Sequence, residues 1–351
     1  MELKDIFTFE NLMAAHEACR SGKQHKRGTI AFEMELGSNI GGLAKELAGK
    51  TYRPGRYRTF KIYDPKERTI EALAYRDRVV LMCFCKRAME PRLERRLIHD
   101  NAASRKGKGT GFSIGRLHGF MRRLFINAGG NGFYFLKCDI SKYFASIDHD
   151  ILKDRLARAG FSADEMRFMD AVIGSRGAEA RGLPLGNQTS QWFALLYLDG
   201  LDRFIKEKLR VPYYVRYMDD FILLGADKGF LQKCKAEIQK FAAERLNLEL
   251  NAKTQVGRIK DGLDFLGYNH RMTATGKIVR KLRASARIRQ RRYIKAISRY
   301  YLEGALDDEY LDSRQAAFVQ HAKGTKDMKI VNNGLNSLRK KKKSMARKNK
   351  S

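Results

Sequence analysis

The sequence predicts an α+β body followed by a basic, helical module. Two patterns carry that reading. Short apolar runs alternate with amphipathic helical stretches between about residues 55 and 270, the signature of strands interleaved with helices. From Lys277 the character changes: "KIVRKLRASARIRQRRYIKAISRY" holds 10 basic residues and no acid, with Ile278, Leu282, Ile294, Ile297 and Tyr301 at broadly helical spacing.

In chain order, residues 1–50 read as helical and end in the glycine-rich "GSNIGGLAKELAGK". The stretch "RTFKIYDPKERTIEALAYRDRVVLMCFCKRAMEPRLERRL" reads as two short strands around a turn at Asp64–Pro65, then a helix from about Asp77. "ASRKGKGTG" is a basic, glycine-rich loop, and "FYFLKCD" a compact strand ending in Asp139. "HDILKDRLARAGF" opens on His149–Asp150 as a cap and continues as an amphipathic helix. "GLPLGNQTSQ" is a loop leading into the long helix "WFALLYLDGLDRFIKEKL". A hairpin "YYVRYMDDFILLG", a helix "KGFLQKCKAEIQKFAAERL" and short strands "LEL" and "DFLGY" follow, with a domain boundary near residue 272. No internal repeat is present.

With 351 residues the chain can bury a sizeable core. The longest clean apolar runs, "VVLMCFC" and "WFALLYL", are far too short to span a bilayer. The opening "MELKDIFTFENL" has acids and no basic leader, unlike a signal peptide. Of five scattered cysteines only Cys83 and Cys85 lie close, and no second pair completes a zinc site. Reduced thiols and a cytoplasmic location are expected. The net charge of +31, from 70 basic and 39 acidic residues, far exceeds what solubility needs. It points to a polyanion partner, nucleic acid before an anionic membrane surface.

Against that excess, Asp219 and Asp220 stand side by side between two apolar runs in "YVRYMDDFILL". A lone Asp-Asp turn is ordinarily solvated. Here the flanking residues read as buried strands, and Asp139 ends an earlier one. Adjacent buried carboxylates need cations. Phosphoryl transfer needs carboxylates that hold two divalent ions, and magnesium takes such hard oxygen ligands.

"YMDD" after an apolar strand, "DISKYF" ending another and "LPLGNQTSQ" between them together resemble the palm motifs of reverse transcriptases, in the family's order, over about residues 55–335. The resemblance implies a right-hand polymerase fold: fingers and palm with an antiparallel sheet, and a C-terminal all-helical thumb. It divides the chain into an N-terminal extension and fingers (1–132), a palm (133–272, with part of the fingers at about 160–190), a thumb (273–338) and a disordered basic tail (339–351). It also implies a metal site of Asp139, Ile140, Asp219 and Asp220. The cofactor would be two Mg2+ ions, with Mn2+ as an acceptable replacement. Asp139, Asp219 and Asp220 are the implied catalytic triad.

The remaining motifs carry implied nucleotide contacts. Phe144, five residues after Asp139, matches the aromatic that stacks under the sugar and leaves no room for a 2′-hydroxyl, although a Phe beside a strand end also serves as core. Lys61 and Arg68 resemble the pair gripping the triphosphate, with Lys66 an alternative to Lys61. Leu185, Gly186 and Gln191 lie where the family aligns the nascent base pair. Lys253 in "LNLELNAKT" matches a residue near the triphosphate or is simply solvated. Template and primer contacts fall on Arg105, Lys106 and Lys108 of the basic loop, a plain flexible loop being nearly as good a reading. They continue on the "FLGY" turn (Phe265, Leu266, Gly267) and on Arg280, Arg283 and Arg287.

The aliphatic Leu185, then Gly186, Ser190 and Gln191, is similar to reverse transcriptases of diversity-generating retroelements. That subfamily copies a template RNA into cDNA with errors concentrated at adenines (mutagenic retrohoming), and implies a structured template RNA, dNTPs and a small basic helical accessory protein as partners, with no membrane. "FVQHAKGTKD" matches only partly, because Gln320 stands before His321 where the family usually has Gly. Retron, CRISPR-associated and phage-defence reverse transcriptases stand as alternatives, though the retron "NAxxH" and "VTG" signatures are missing. So do template-independent nucleotide addition and a catalytically silent nucleic-acid-binding protein on the same fold.

Overall fold

The computed structural model describes residues 2–63, 67–177 and 179–348. It divides into two compact units that interleave along the chain: Met1–Ser113, Cys138–Ile222 and Gln232–Thr254 form one, and Ile114–Lys137, Leu223–Leu231 and Gln255–Ser351 the other.

The first unit opens with four helices, α1 (Leu3–Ile6), α2 (Phe9–Arg20), α3 (Arg27–Glu33) and α4 (Leu36–Ala48). The Thr8 side chain caps α2 by accepting the Asn11 N–H. Strands β1 (Arg58–Ile62) and β2 (Arg68–Ala72) pair antiparallel. The turn expected between them at Asp64–Pro65, and Lys66 with it, lies outside the described residues. Helix α5 (Tyr75–Phe84) carries the "VVLMCFC" run and is buried nearly all round, as a helix without a polar face must be. A π-helical turn (Cys85–Met89) and α6 (Glu90–Leu93) follow, then a loop, then α7 (Thr110–Asn127), which belongs to the second unit from Ile114 onward.

Strand β3 (Tyr134–Cys138) precedes α8 (Tyr143–Ser146), α9 (His149–Arg158) and α10 (Ala163–Ile173). The cap of α9 is Asp148, whose carboxylate accepts from the N–H groups of Asp150 and Ile151. His149–Asp150, expected as the cap, are the first helical residues instead. His149 donates through Nε2 to the Gly182 carbonyl at 2.8 Å. Ser162 and Glu165 form a capping box on α10. The single helix expected from Trp192 is three segments: α11 (Gln188–Tyr197), α12 (Asp199–Arg203) and a π-turn (Phe204–Lys208). Strands β4 (Tyr214–Tyr217) and β5 (Asp220–Gly225), helix α13 (Lys228–Leu246) and β6 (Gln255–Arg258) complete a four-stranded sheet of order β4-β5-β3-β6. The expected strand "LEL" shrinks to one bridge, Ile140 to Leu250.

In the second unit β7 (Leu263–Phe265), β8 (Tyr268–Met272) and β9 (Ile278–Leu282) form an antiparallel sheet. Helices α14 (Ala284–Leu302), α15 (Asp308–Ala322) and α16 (Met328–Lys348) follow. Two expectations are corrected. Residues 278–282, expected as helix in an all-helical module, are strand, because β8 offers an edge that pairs Met272 to Ile278 through Tyr268 to Leu282. The Asp327 carboxylate then accepts the Leu282 N–H at 2.6 Å and ends the strand. The basic stretch from Arg339, expected as a disordered tail, continues α16 as far as Lys348. Leu335 of that helix packs with Ile297, Tyr301 and Leu311, and Arg339 is paired with Asp312.

All five cysteines are buried free thiols. Among the described residues no helix is long and apolar enough to cross a membrane.

Strand β2 and the loop before α11 approach closely. Glu71 N–H donates to the Leu185 carbonyl at 3.1 Å. At Gly186, with φ +153, a Cβ would come within 2.5 Å of the Glu71 carbonyl oxygen. Only glycine fits there. Gly186→Ala is expected to destabilise the chain by about 1–3 kcal/mol, the usual cost of forcing an atom into closed packing, read as a lower urea midpoint at unchanged slope.

In the second unit His118 of α7 and His270 of β8 meet at 2.9 Å between Nε2 and Nδ1. His270 Nε2–H donates to the Phe265 carbonyl at 3.3 Å, so its Nδ1 accepts from His118 Nε2–H. Burial first, then His270 and the guanidiniums of Arg280 and Arg122, hold His118 down to about 3. Burial, with Arg280 adding to it, holds His270 to about 4. An unfolded histidine protonates near 6.5. Below that pH the unfolded chain binds protons that the native pair refuses. The pair's stabilisation is therefore complete above pH 6.5 and is lost as pH falls toward 4. Thermal unfolding midpoints should drop across that window, and less steeply in His118→Gln, which keeps the donor; identical slopes would refute this.

Candidate active site

Strand β4 is fully buried at Tyr214, Val215 and Arg216, and β5 at Phe221 and Ile222. Between them Met218 and Asp219 make a two-residue connection in which Met218 has φ +55. That position of a hairpin turn favours glycine, and a side chain there costs of order 1–3 kcal/mol unless its surroundings hold it. The turn places Asp219 at one end of the sheet and Asp220 as the first residue of β5.

Asp139 follows β3, the neighbour of β5 in the strand order. Its carbonyl accepts the Asn251 N–H at 2.7 Å, and Ser141 N–H donates to the Glu249 carbonyl at 2.9 Å, which ties this strand end to the segment after α13. The acids converge electrostatically. Burial, then the charge of Asp139, push the Asp219 carboxyl above its ordinary range, while a backbone hydrogen bond and then Arg68 and Arg216 pull it back. The buried Cys138 thiol is pushed up chiefly by burial, with both Asp220 and Asp139 adding to it. Ile140 is buried with its side chain apolar, so only its main-chain carbonyl is an oxygen donor.

Around these acids the expected nucleotide contacts separate. Arg68 bears on Asp219. Lys61 does not share its face: the register pairs Lys61 with Thr69 and Ile62 with Arg68, and neighbours along a strand point to opposite sides. Lys61 instead pairs with Glu67 at 2.7 Å. Phe144 is half-buried, edge-on to Tyr143 at 5.7 Å, and its carbonyl accepts the Leu183 N–H at 2.8 Å. Leu185 is half-buried and Gly186 exposed. Gln191 accepts from Ser104 Oγ at 3.2 Å, which links the α11 start to the basic loop. Lys253 is exposed.

The basic loop departs from expectation. Arg105 is buried, and its donors are spent on both Glu94 oxygens and on the carbonyls of Ile98 and Asn101. It shapes the loop and does not face outward. Lys106 is exposed. Lys108 donates to the His99 carbonyl at 2.8 Å and lies over the Phe112 ring.

In the second unit Phe265 is buried, while Leu266 (φ +48) and Gly267 (φ +87) form the two-residue turn between β7 and β8. Arg280 is engaged internally, over the Tyr268 ring at 4.8 Å and on the Lys323 carbonyl. Arg283 pairs with Asp264 at 3.3 Å and Arg287 with Asp327 at 3.8 Å.

Sequence reasoning passed over two functional-looking groups. One is Arg216, a charge inside the buried "YVRY" strand, which was itself the signal. The other is Asn187, which donates to the Tyr57 hydroxyl at 2.8 Å and steadies the loop carrying Leu185.

Among the described residues no group of three or more His, Cys, Asp or Glu side chains is gathered into a metal cage. Magnesium does not require one: it is usually held by one or two carboxylates together with substrate phosphates and water. Half-buried carboxylates at strand ends, with the charge of Asp139 bearing on Asp219, fit that chemistry.

A family model for reverse transcriptase (RNA-dependent DNA polymerase) matches residues 64–270, more than half of the chain. Among solved structures the chain is similar to telomerase from Candida albicans in complex with a fragment of telomeric RNA. The TM-score is 0.53 at 13% identity, covering 83% of this chain and 55% of that one. Apo telomerase from Candida tropicalis, truncated from its C-terminal domain, aligns over 65% of this chain and 55% of that one, with TM-score 0.49 and 14% identity. This chain thus spans about half the length of those proteins. No curated protein sequence matches. The first structural likeness speaks to the fold alone, a right-hand polymerase fold of helices and antiparallel sheets. With the family match over its central region, the chain belongs to the reverse transcriptase family.

Proposed function

We infer that this chain is an RNA-directed DNA polymerase that copies a template RNA into cDNA, and that it serves a diversity-generating retroelement. The observation that carries the polymerase reading is the placement of Asp139 directly after β3 and of Asp219 in the β4–β5 turn, with the charges of Asp139 and Arg68 both bearing on Asp219.

Asp139 and Asp219, with Asp220 and the Ile140 carbonyl next to them, would hold divalent ions, Mg2+ first and Mn2+ in its place. When bound, such ions neutralise charge on the attacking and leaving oxygens of phosphoryl transfer. The chain's own groups do the remaining work. Arg68 offers fixed donors to the triphosphate oxygens. The Phe144 ring lies under the sugar and excludes a 2′-hydroxyl by volume. The Leu185 side chain contacts the nascent pair without a hydrogen bond, so selection there is by shape. Gln191 and the exposed Lys106 face template and nucleotide. The Leu266–Gly267 turn meets the primer strand. Helix α14, exposed and basic over Arg289, Arg291, Arg292 and Arg299, follows the product backbone without reading its sequence. In this reading residues 1–132 are the N-terminal extension and fingers, 133–272 the palm (with part of the fingers at about 160–190) and 273–338 the thumb. Template RNA, cDNA and dNTPs are the partners, with a small basic helical protein as accessory.

Primer extension on an RNA template tests the activity. Asp219→Ala and Asp139→Ala should each lower kcat by about a hundred- to a thousandfold, the scale seen when one preorganised electrostatic group is removed, with unchanged thermal unfolding. Full activity in either would sink the polymerase reading. For the retroelement reading, Leu185→Gln should lower misincorporation opposite template adenine while leaving errors opposite the other bases nearly constant. Equal error spectra would remove the support that Leu185 lends.

A further inference from the structure

Arg216 and Asp202 are both fully buried. Nε of Arg216 donates to Asp202 Oδ1 at 2.7 Å and Nη2 to Oδ2 at 2.6 Å. The Tyr214 hydroxyl donates to the same carboxylate at 2.6 Å. Burial alone would loosen the guanidinium's proton, but the Asp202 carboxylate outweighs it and binds that proton more tightly. Stability does not call for such a pair, since well-packed apolar side chains of the same volume often serve a core equally well.

An apolar pair could not do what the third arm of the fork does. Nη1 of Arg216 donates to the Met218 carbonyl at 3.0 Å. Met218 is the residue held at φ +55 immediately before Asp219. The main chain of Arg216 is itself pinned on both sides: its N–H donates to the Asp100 carbonyl at 3.0 Å, and its carbonyl accepts the Ala102 N–H at 3.2 Å. Nη2 also reaches the Leu195 carbonyl of α11 at 3.2 Å. The guanidinium is therefore fixed from three directions before it touches the turn.

We propose that Arg216 is a positioning residue. Clamped by Asp202, it holds the Met218 carbonyl, keeps the turn in its left-handed conformation and so aims Asp219 and Asp220 at the reacting phosphates. The inference rests on the polymerase reading of that turn. Arginine suits this task because its planar fork can bind a carboxylate with one edge and a carbonyl with the other, whereas a lysine ammonium cannot hold both in fixed geometry.

The test uses the full chain in primer extension with varied dNTP and Mg2+. One variant is Arg216→Lys. The other combines Asp202→Leu, Arg216→Met and Tyr214→Phe, which replaces the cluster by apolar groups and leaves no orphaned hydroxyl. The combined variant should unfold thermally near the native midpoint. Its kcat should fall about a hundredfold, the scale of an ångström-sized misplacement of a reacting group. KM for dNTP should stay nearly constant, and the Mg2+ concentration giving half-maximal rate should rise. Adding Met218→Gly should restore part of kcat, because glycine adopts φ +55 unaided; a purely structural cluster would show no such rescue. A native kcat in either variant that folds overturns the proposal. So does failure of both to fold, which would make the pair a requirement of the fold itself. If the native chain extends no primer, the polymerase reading fails first, and that result is distinct from both.

Discussion

Two carboxylates held close together in a partly dry corner define this molecule. Burial and the charge of Asp139 both raise the cost of ionising the half-buried Asp219. In water such a pair would separate. Here Asp139 is tied by its carbonyl to Asn251, and Asp219 is carried by a turn that cannot relax without freeing Met218 from its left-handed conformation. Nearby guanidiniums, Arg68 and Arg216, supply only part of the compensation. In the proposed polymerase reading, an anionic substrate brings the further cations that complete this compensation.

Much of the first unit serves to hold what surrounds that corner. The Phe144 carbonyl takes the Leu183 N–H, the Leu185 carbonyl takes the Glu71 N–H, and Gly186 is pressed against β2. Arg176 joins Glu71 from the far side of the same loop. A single run of hydrogen bonds thus connects the aromatic under the proposed sugar position, the aliphatic residue beside the proposed base pair, and the ribbon that carries Arg68. A shift in one would be felt by the others. The basic loop joins this run through Ser104 and Gln191, and its shape is set by Arg105 turned inward on Glu94.

The acids and their order along the chain are legible in the sequence for an energetic reason. A carboxylate at the end of an apolar strand is costly, so three of them at strand ends are hard to explain except as a site. The hairpin around Asp219, the helix from Tyr75 and the strand ending at Cys138 follow from short-range apolar patterning. Arg105 is not legible as an internal residue. A basic, glycine-rich loop looks the same whether its arginine faces outward or donates to its own carbonyls. The opposite faces of Lys61 and Arg68 depend on a register that the turn between them sets. The strand at 278–282 and the helical end at Lys348 depend on partners, the β8 edge and Leu311, that lie far off in sequence.

Composition, charge and motif order by themselves determined the class of fold, the polyanion partner to expect and the acids proposed for the site, because each rests on local chemistry or on sums over the chain. Only the tertiary structure decided which cations are spent internally and which stay near the acids. It alone set Asp202 under Arg216, and so gave the strained turn its support. The reason is that a guanidinium's role is settled by what lies within about 3 Å of its nitrogens, and here the carboxylate, the helix carbonyl and the turn carbonyl it meets come from three separate stretches of chain.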